Sequence, residues 1–515
     1  MTTTPFHNEP FLDFQLPANK SAMEAALAKV KSQFGKTYPL LINGKAVTTE
    51  SVLPSTNPAR ISEVIGSVCQ ATRQHIEEAL EVATRRFEDW RYTSAELRAT
   101  YLFKAAAVIR RDKLEWAAWQ VYEAGKNWAE ADGDVAEAID FLEYYGREML
   151  RYGEGTPLVP LPGEYNRQLY IPLGVGVIIP PWNFPLAIMV GMTTSAIVTG
   201  NTVLLKPSPN TSVIAARFVQ MMHDIGLPDG VINFVPGPPE EIGDFMVDHP
   251  KTRFVSFTGS KAVGLRISER AAKTASGQRW MKRVIAEMGG KDGIVVDEHA
   301  DLELAATDIV SSAFGFQGQK CSAASRAILH KKVYDEIVER VVEKTKALKM
   351  GPPEQNFYNG PVIEQKSVDK IMRYIEIGKS EANLLVGGER GPSEGYYIQP
   401  TVFADAKRGQ KIMCEEIFGP VLAMYRADNF EDALDTFNDT EYGLTGSVYS
   451  YNRAHLEQAR DRMHCGNLYF NRKCTGALVG VHPFGGFHMS GTDSKAGGPD
   501  YLLQFMQAKV VSERF

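Results

Sequence analysis

The chain has little cysteine. Its five residues, Cys69, Cys321, Cys414, Cys465 and Cys474, are odd in number, widely spaced and free of any CxxC pair. That argues against a disulfide framework or a structural zinc site and favours a reducing compartment. It also lacks an excess of either charge, with 56 basic and 62 acidic residues giving a net charge of −6, so nothing invites nucleic acid or an anionic membrane. No long hydrophobic run is uninterrupted. The most apolar stretch, 170–192, is broken by Pro172, Pro180, Pro181 and Pro185 and by Gly174 and Gly176, which excludes a spanning helix. The N-terminal MTTTPFHNEPFLDF has no basic segment ahead of an apolar core, so no secretory leader is expected, and the expected location is cytoplasmic. There is no HExxH and no clustered Cys/His for a catalytic metal. The GxGxxG fingerprint is missing too, because LGVGVIIPPW runs on into prolines.

What is present is α/β texture. At 515 residues two or three domains are expected. Residues 1–36 read as an extended arm and one helix, with Ser21 and Glu24 as a capping box. Two helical stretches follow, HIEEALEVATRRFEDW and ELRATYLFKAAAVIRRDKLEWAAWQVYEAG. From about residue 170 short apolar strands (VGVIIP, TVLLKP, GVINFVPG, RFVSFTG, KRVIAEMGG) alternate with helices, which predicts an open, mostly parallel sheet. A second such series begins near Lys291. Two segments stand outside both: 151–170, a hairpin turning at Pro162-Gly163, and 491–515, a strand-like tail. The expected division is therefore 37–150 with 171–289, then 290–490, with hairpin and tail forming a small oligomerisation flap.

Five constellations carry chemistry. Cys321, in GQKCS, lies on a Gly-rich bend between a helix and a strand, where a thiol can face a cleft; Lys320 beside it could favour the thiolate. Glu287, in VIAEMGGKD, ends a strand, where ligand clefts form in parallel sheets. Asn183, in PWNFP, sits in a stiff loop and offers an amide to an oxyanion. In FTGS, Gly259 and Ser260 lead a strand into a helix N-terminus suited to phosphate. In EEIFGP, Glu416 and Phe418 could bind ribose hydroxyls and back a flat ring. Each motif alone is weak.

Together PWNFP, LLKPS, FTGS, EMGGKD, GQKCS, EEIFGP and PFGG stand in the order and spacing of the aldehyde dehydrogenase superfamily, and the chain resembles it over about 37–515. AEAIDFLEYY at 136–145, GFQGQKCSAASR at 315–326, YIEIGKSE at 374–381 and the long run from Gly466 to Leu502 resemble the branch that oxidises L-glutamate γ-semialdehyde to glutamate in proline and arginine catabolism. The resemblance implies the aldehyde dehydrogenase fold: a Rossmann-like NAD-binding domain, an α/β catalytic domain and a β flap. It implies Cys321 as nucleophile, Asn183 as oxyanion donor and Glu287 as general base. Trp182, Lys206, Ser208, Gly237, Gly259, Ser260, Glu416 and Phe418 would hold NAD. Glu137, Phe184, Lys320, Ser322, Gly476, Ala477 and Phe484 would hold the substrate. It further implies a homo-oligomer built on dimers and makes a proline dehydrogenase the partner to consider. One departure concerns the cofactor: many NAD-preferring relatives carry an acid three residues after the ribose-binding lysine, and here that position is Pro209, so NAD with some NADP tolerance is expected. The alternatives are another semialdehyde dehydrogenase, such as one for succinate semialdehyde, and a non-catalytic dinucleotide binder.

Overall fold

Two seven-stranded, mostly parallel sheets organise the computed structural model, which describes residues 4–515; the first three residues of the expected N-terminal arm lie outside them. In the first sheet, strands Arg283–Glu287, Thr252–Thr258, Val175–Ile179, Thr202–Leu205 and Ile232–Phe234 run parallel in that spatial order. Leu40–Ile42 joins antiparallel at one side, followed by Lys45–Val47. Val175–Ile179, Thr202–Leu205 and Ile232–Phe234 are short and buried along almost their whole length because helices cover both faces. Helix Ala187–Val198 is apolar all round and almost wholly buried. It lies against helix Trp128–Gly153 so closely that a Cβ on Gly191 would stand 3.0 Å from the Phe141 ring.

The second sheet runs Asn383–Val386, Thr401–Ala404, Val421–Ala427, Ala324–His330, Asp292–Val296, Thr445–Tyr449 and Asn467–Phe470, parallel except for the first strand. The α/β texture read from the sequence is thus the observed architecture. Among the described residues, no helix is long and apolar enough to cross a membrane.

Some expectations need correction. Ser21 and Glu24 cap nothing: the first helix begins at Pro17, whose fixed φ suits a first turn, and Leu16 is the extended residue before it. The second helical stretch is two helices, Ala95–Arg111 and Lys113–Ala124, separated by Asp112 at φ −104° and ψ 25°. Residues 151–153 of the expected hairpin finish helix Trp128–Gly153, and the strand that follows extends to Pro172. Hairpin and tail form one antiparallel sheet, in which Met506–Arg514 pairs with Glu164–Pro172 and Thr156–Pro157 lies on the far side. The tail's first partner is therefore its own chain. Its outer edge is unpaired, and Val510, Val511 and Phe515 are exposed.

Candidate active site

The carboxyl ends of the five parallel strands of the first sheet carry, one after another, the residues singled out by sequence. Val175–Ile179 leads to Trp182 and Asn183, Thr202–Leu205 to Lys206 and Ser208, and Ile232–Phe234 to Gly237. Thr252–Thr258 leads to Gly259 and Ser260, and Arg283–Glu287 ends on Glu287 itself. Facing them are turns that enter the second sheet: Cys321 precedes strand Ala324–His330, and Glu416 and Phe418 precede Val421–Ala427. A cleft between a carboxyl sheet edge and loops from a second sheet is the usual ligand site of such folds.

Specific contacts join the two sides. The Asn183 amide donates to the Gln319 carbonyl at 3.0 Å, two residues from Cys321, and leaves its second N–H hydrogen free. The Gly290 N–H donates to Glu416 Oε1 at 3.0 Å. A Cβ on Gly289 would fall 2.1 Å from that carboxylate, and one on Gly290 would fall 2.5 Å from the Cys321 carbonyl, so the paired glycines are required for this approach. Trp182 meets Phe418 edge to face, with centroids 5.6 Å apart; Phe418 holds a left-handed φ of 59°, uncommon for an aromatic residue. The Gly-rich bend before Cys321 has left-handed residues as well, Phe316, Gln317 and Gly318, which turn the chain out of helix Leu302–Phe314.

The electrostatics are those of a half-buried cleft lined with acids. Burial, followed by the charges of Asp292, Glu287, Glu416 and Glu137, pushes the Cys321 thiol well above its ordinary value, so it rests protonated. Lys320 does not offset this, contrary to the expectation that it favours the thiolate: its Nζ pairs with Glu130 Oε1 at 2.7 Å. Burial raises Glu287 to about 8, against a 2.6 Å bond from the Ser494 hydroxyl and a longer one, 3.4 Å, from the Gly486 N–H. Burial likewise raises Glu137 to about 8, with nearby Asp134 adding to the effect.

The groups expected to meet a dinucleotide have unmet bonding capacity. Lys206 is buried, and its one hydrogen bond runs to the carbonyl of neighbouring Pro207 at 3.3 Å; burial lowers it to about 8. Ser260 precedes the eleven-residue helix Lys261–Ala271 and makes no side-chain cap. A buried ammonium short of oxygen partners, a carboxylate held on the opposite wall and an uncapped helix N-terminus fit an elongated ribose–diphosphate ligand.

On the substrate side, the Cys474 thiol donates to the Ser322 carbonyl at 3.4 Å, which brings loop 475–477 beside the nucleophile's turn. Gly476 has φ 76°, and Arg472 holds the carbonyls of Thr475 and Gly476 at 2.9 and 3.1 Å; Ala477 follows, half-buried. Phe184 lies under the Lys126 ammonium, 4.1 Å from its ring centroid, and Phe484 pairs with Ala496 in an isolated bridge. Sequence reasoning missed Ser494, Lys126 and Asp134. Ser494 lies 207 residues from the carboxylate it binds, and the fully buried Lys126–Asp134 pair, at 2.6 Å, carries no motif. A lysine and an aspartate at positions otherwise suited to core residues were the available signal.

The aldehyde dehydrogenase family model matches residues 46–511. A 1-pyrroline-5-carboxylate dehydrogenase of Geobacillus sp. (strain WCH70) is 60% identical over 512 residues, covering 99% of each chain. The crystal structure of 1-pyrroline-5-carboxylate dehydrogenase from Thermus with bound NAD superposes with a TM-score of 0.99 at 51% identity, covering 100% of both chains. Proline utilization A from Bdellovibrio bacteriovorus superposes at 0.98 with 43% identity, covering 100% of this chain and 54% of that one.

Proposed function

Because the chain belongs to the aldehyde dehydrogenase family, we propose that the cleft between its two sheets oxidises L-glutamate γ-semialdehyde, the open form of 1-pyrroline-5-carboxylate, to L-glutamate with NAD. The observation that carries the reading is the 60% identity to a 1-pyrroline-5-carboxylate dehydrogenase over 99% of the chain. Lys206, Ser208, Gly237, Gly259, Ser260 and Glu416 would hold the dinucleotide, together with Trp182 and Phe418. When bound, the oxidised cofactor would supply the hydride acceptor. Pro209 offers no carboxylate against a 2′-phosphate, so some NADP is accepted.

The Cys321 thiol gives its proton to solvent water, and its sulfur bonds the aldehyde carbon while the C=O π pair moves to oxygen, giving a thiohemiacetal oxyanion. The free N–H of Asn183 and the Cys321 backbone N–H hold its oxyanion; losing one such donor typically costs about 100- to 1,000-fold in rate. Loss of hydride from the carbon leaves a thioester on Cys321. Glu287 then takes a proton from water, the hydroxide oxygen bonds the carbonyl carbon, and the C–S bond breaks to return the sulfur and release the acid. Loop 475–477, with Ser322, receives the substrate's α-carboxylate and amino group. Phe184 and Phe484 flank its methylenes, and Glu137 lies within charge range of the nucleophile.

The exposed, edge-forming tail supports a homo-oligomer built on dimers, since a three-stranded ribbon with an exposed, unpaired outer strand is a poor free surface. The likeness to proline utilization A, a chain almost twice as long, supports a proline dehydrogenase as the source of substrate. Five free cysteines suit the cytoplasm. The test is kcat/KM at fixed NAD for glutamate semialdehyde, succinate semialdehyde and hexanal. Glutamate semialdehyde should lead by well over tenfold, since each hydrogen bond to its charged head is worth about 1.5–3 kcal/mol. Equal or better use of succinate semialdehyde or hexanal would overturn the substrate assignment.

A further inference from the structure

Helix Trp128–Gly153 carries acids toward two different neighbours. Glu130, Asp134 and Glu137 recur at helical spacing on the face turned to the active-site lysines. Asp132 and Asp140, both buried, meet the N-terminal arm, which runs antiparallel along the helix. Phe6 packs edge-on against Tyr144 at 5.2 Å and Phe14 against Trp128 at 5.5 Å, so the arm follows the helix from Trp128 to Tyr144. Between them the Glu9 N–H donates to Asp140 Oδ1 at 2.7 Å and the Leu12 N–H to Asp132 Oδ2 at 2.8 Å.

One side chain of this arm reaches further. The Asn8 amide nitrogen donates both to Asp140 Oδ2, at 2.8 Å, and to the Val479 carbonyl, at 3.0 Å. Val479 closes the loop whose other end, Cys474, is tied to Ser322 beside the nucleophile. The loop is thus held at one end by the nucleophile's turn and at the other by an amide 471 residues away in sequence. Phe6 backs the same corner, since a Cβ on Gly480 would stand 3.1 Å from its ring.

We propose that Asn8 is a positioning residue for substrate selection: by tying loop 475–479 to the helix that carries Glu137, it sets the reach between the aldehyde carbon at Cys321 and the site for the substrate's amino-acid head. The inference rests on the reading of loop 475–477 as the head's anchor. An aldehyde without that head does not use the loop and is indifferent to the tie. A merely structural role would lower activity toward both kinds of aldehyde together.

The experiment uses the full-length enzyme with NAD and compares wild type, Asn8→Ala, Asp140→Asn and Gly476→Ala on glutamate semialdehyde and hexanal. For Asn8→Ala, KM for glutamate semialdehyde should rise about tenfold with kcat held within about twofold, the pattern of lost uniform binding. Its kcat/KM for hexanal should stay within about twofold of wild type. Asp140→Asn keeps the shape and weakens the same tie, so it should give a smaller rise of the same kind and carries the test if Asn8→Ala does not fold. Gly476→Ala, which alters the anchor itself, should raise the same KM. Unchanged KM in Asn8→Ala and Asp140→Asn alongside a raised KM in Gly476→Ala overturns this inference alone. Unchanged KM in all three overturns the anchor reading and the inference with it. Equal losses on both aldehydes overturn the inference in favour of a structural role.

Discussion

Replacing Glu287 by Gln keeps the size of the side chain and leaves an oxygen to accept the 2.6 Å bond from Ser494, so the cleft should hold its shape. What disappears is the capacity to take a proton from water. General-base assistance is worth about 100- to 10,000-fold, or about 2.7–5.4 kcal/mol of barrier. The formation of the thiohemiacetal and loss of hydride do not call on this base in the order of steps derived above, so that loss should fall on thioester hydrolysis alone. Mixed rapidly with glutamate semialdehyde and NAD and followed at the NADH absorbance, Glu287→Gln should release about one NADH per active site and then slow to a steady state about 100- to 10,000-fold below wild type. Cys321→Ala should show no burst. If Glu287→Gln turned over normally, the residue would leave the mechanism. If its burst were lost together with turnover, Glu287 would act at or before hydride transfer, and the order of steps would be wrong.

Three further outcomes are expected. Asn183→Ala should lower kcat about 100- to 1,000-fold with a smaller change in KM, measured by steady-state kinetics, because the lost donor serves the oxyanion more than the ground-state aldehyde. Because burial raises Glu287 to about 8, its base form is about a tenth of the population at pH 7, and single-turnover thioester hydrolysis should rise through pH 8 and level off above it; a rate flat from pH 6 to 9 would count against that assignment. Deleting 508–515 removes the exposed part of the tail while sparing Leu502, Phe505 and Met506, which are buried in the core, so light scattering should show a smaller, folded particle; an unchanged mass would separate the tail from assembly.

The fold was legible where sequence pattern and burial agree. Strands such as Val175–Ile179 and Thr202–Leu205 are buried along almost their whole length because both faces are covered, and the glycines and prolines between them mark the sheet edge where the cleft lies. The motif residues could be placed at strand ends for the same reason. Side-chain direction was not legible. Lys320 adjoins Cys321 in sequence yet points to Glu130, since neighbours in a tight turn need not share a face. Ser494 and Glu287 meet only because the segment after Phe487–His488 folds back on strand Arg283–Glu287, a long-range contact that no local spacing encodes. The Ser21–Glu24 pair matched a capping pattern, but Pro17 had already started the helix, a local rule overridden by a stronger one four residues earlier.

The most direct test of the central claim is to catch the acyl group on its sulfur. Glu287→Gln, mixed with glutamate semialdehyde and NAD, quenched in acid after the burst and digested, should show the glutamyl mass on the peptide carrying Cys321 in about the proportion of the NADH released. An NADH burst with an unmodified Cys321 peptide, or with the mass on Cys474 or another cysteine, would contradict the assignment of Cys321 as the nucleophile.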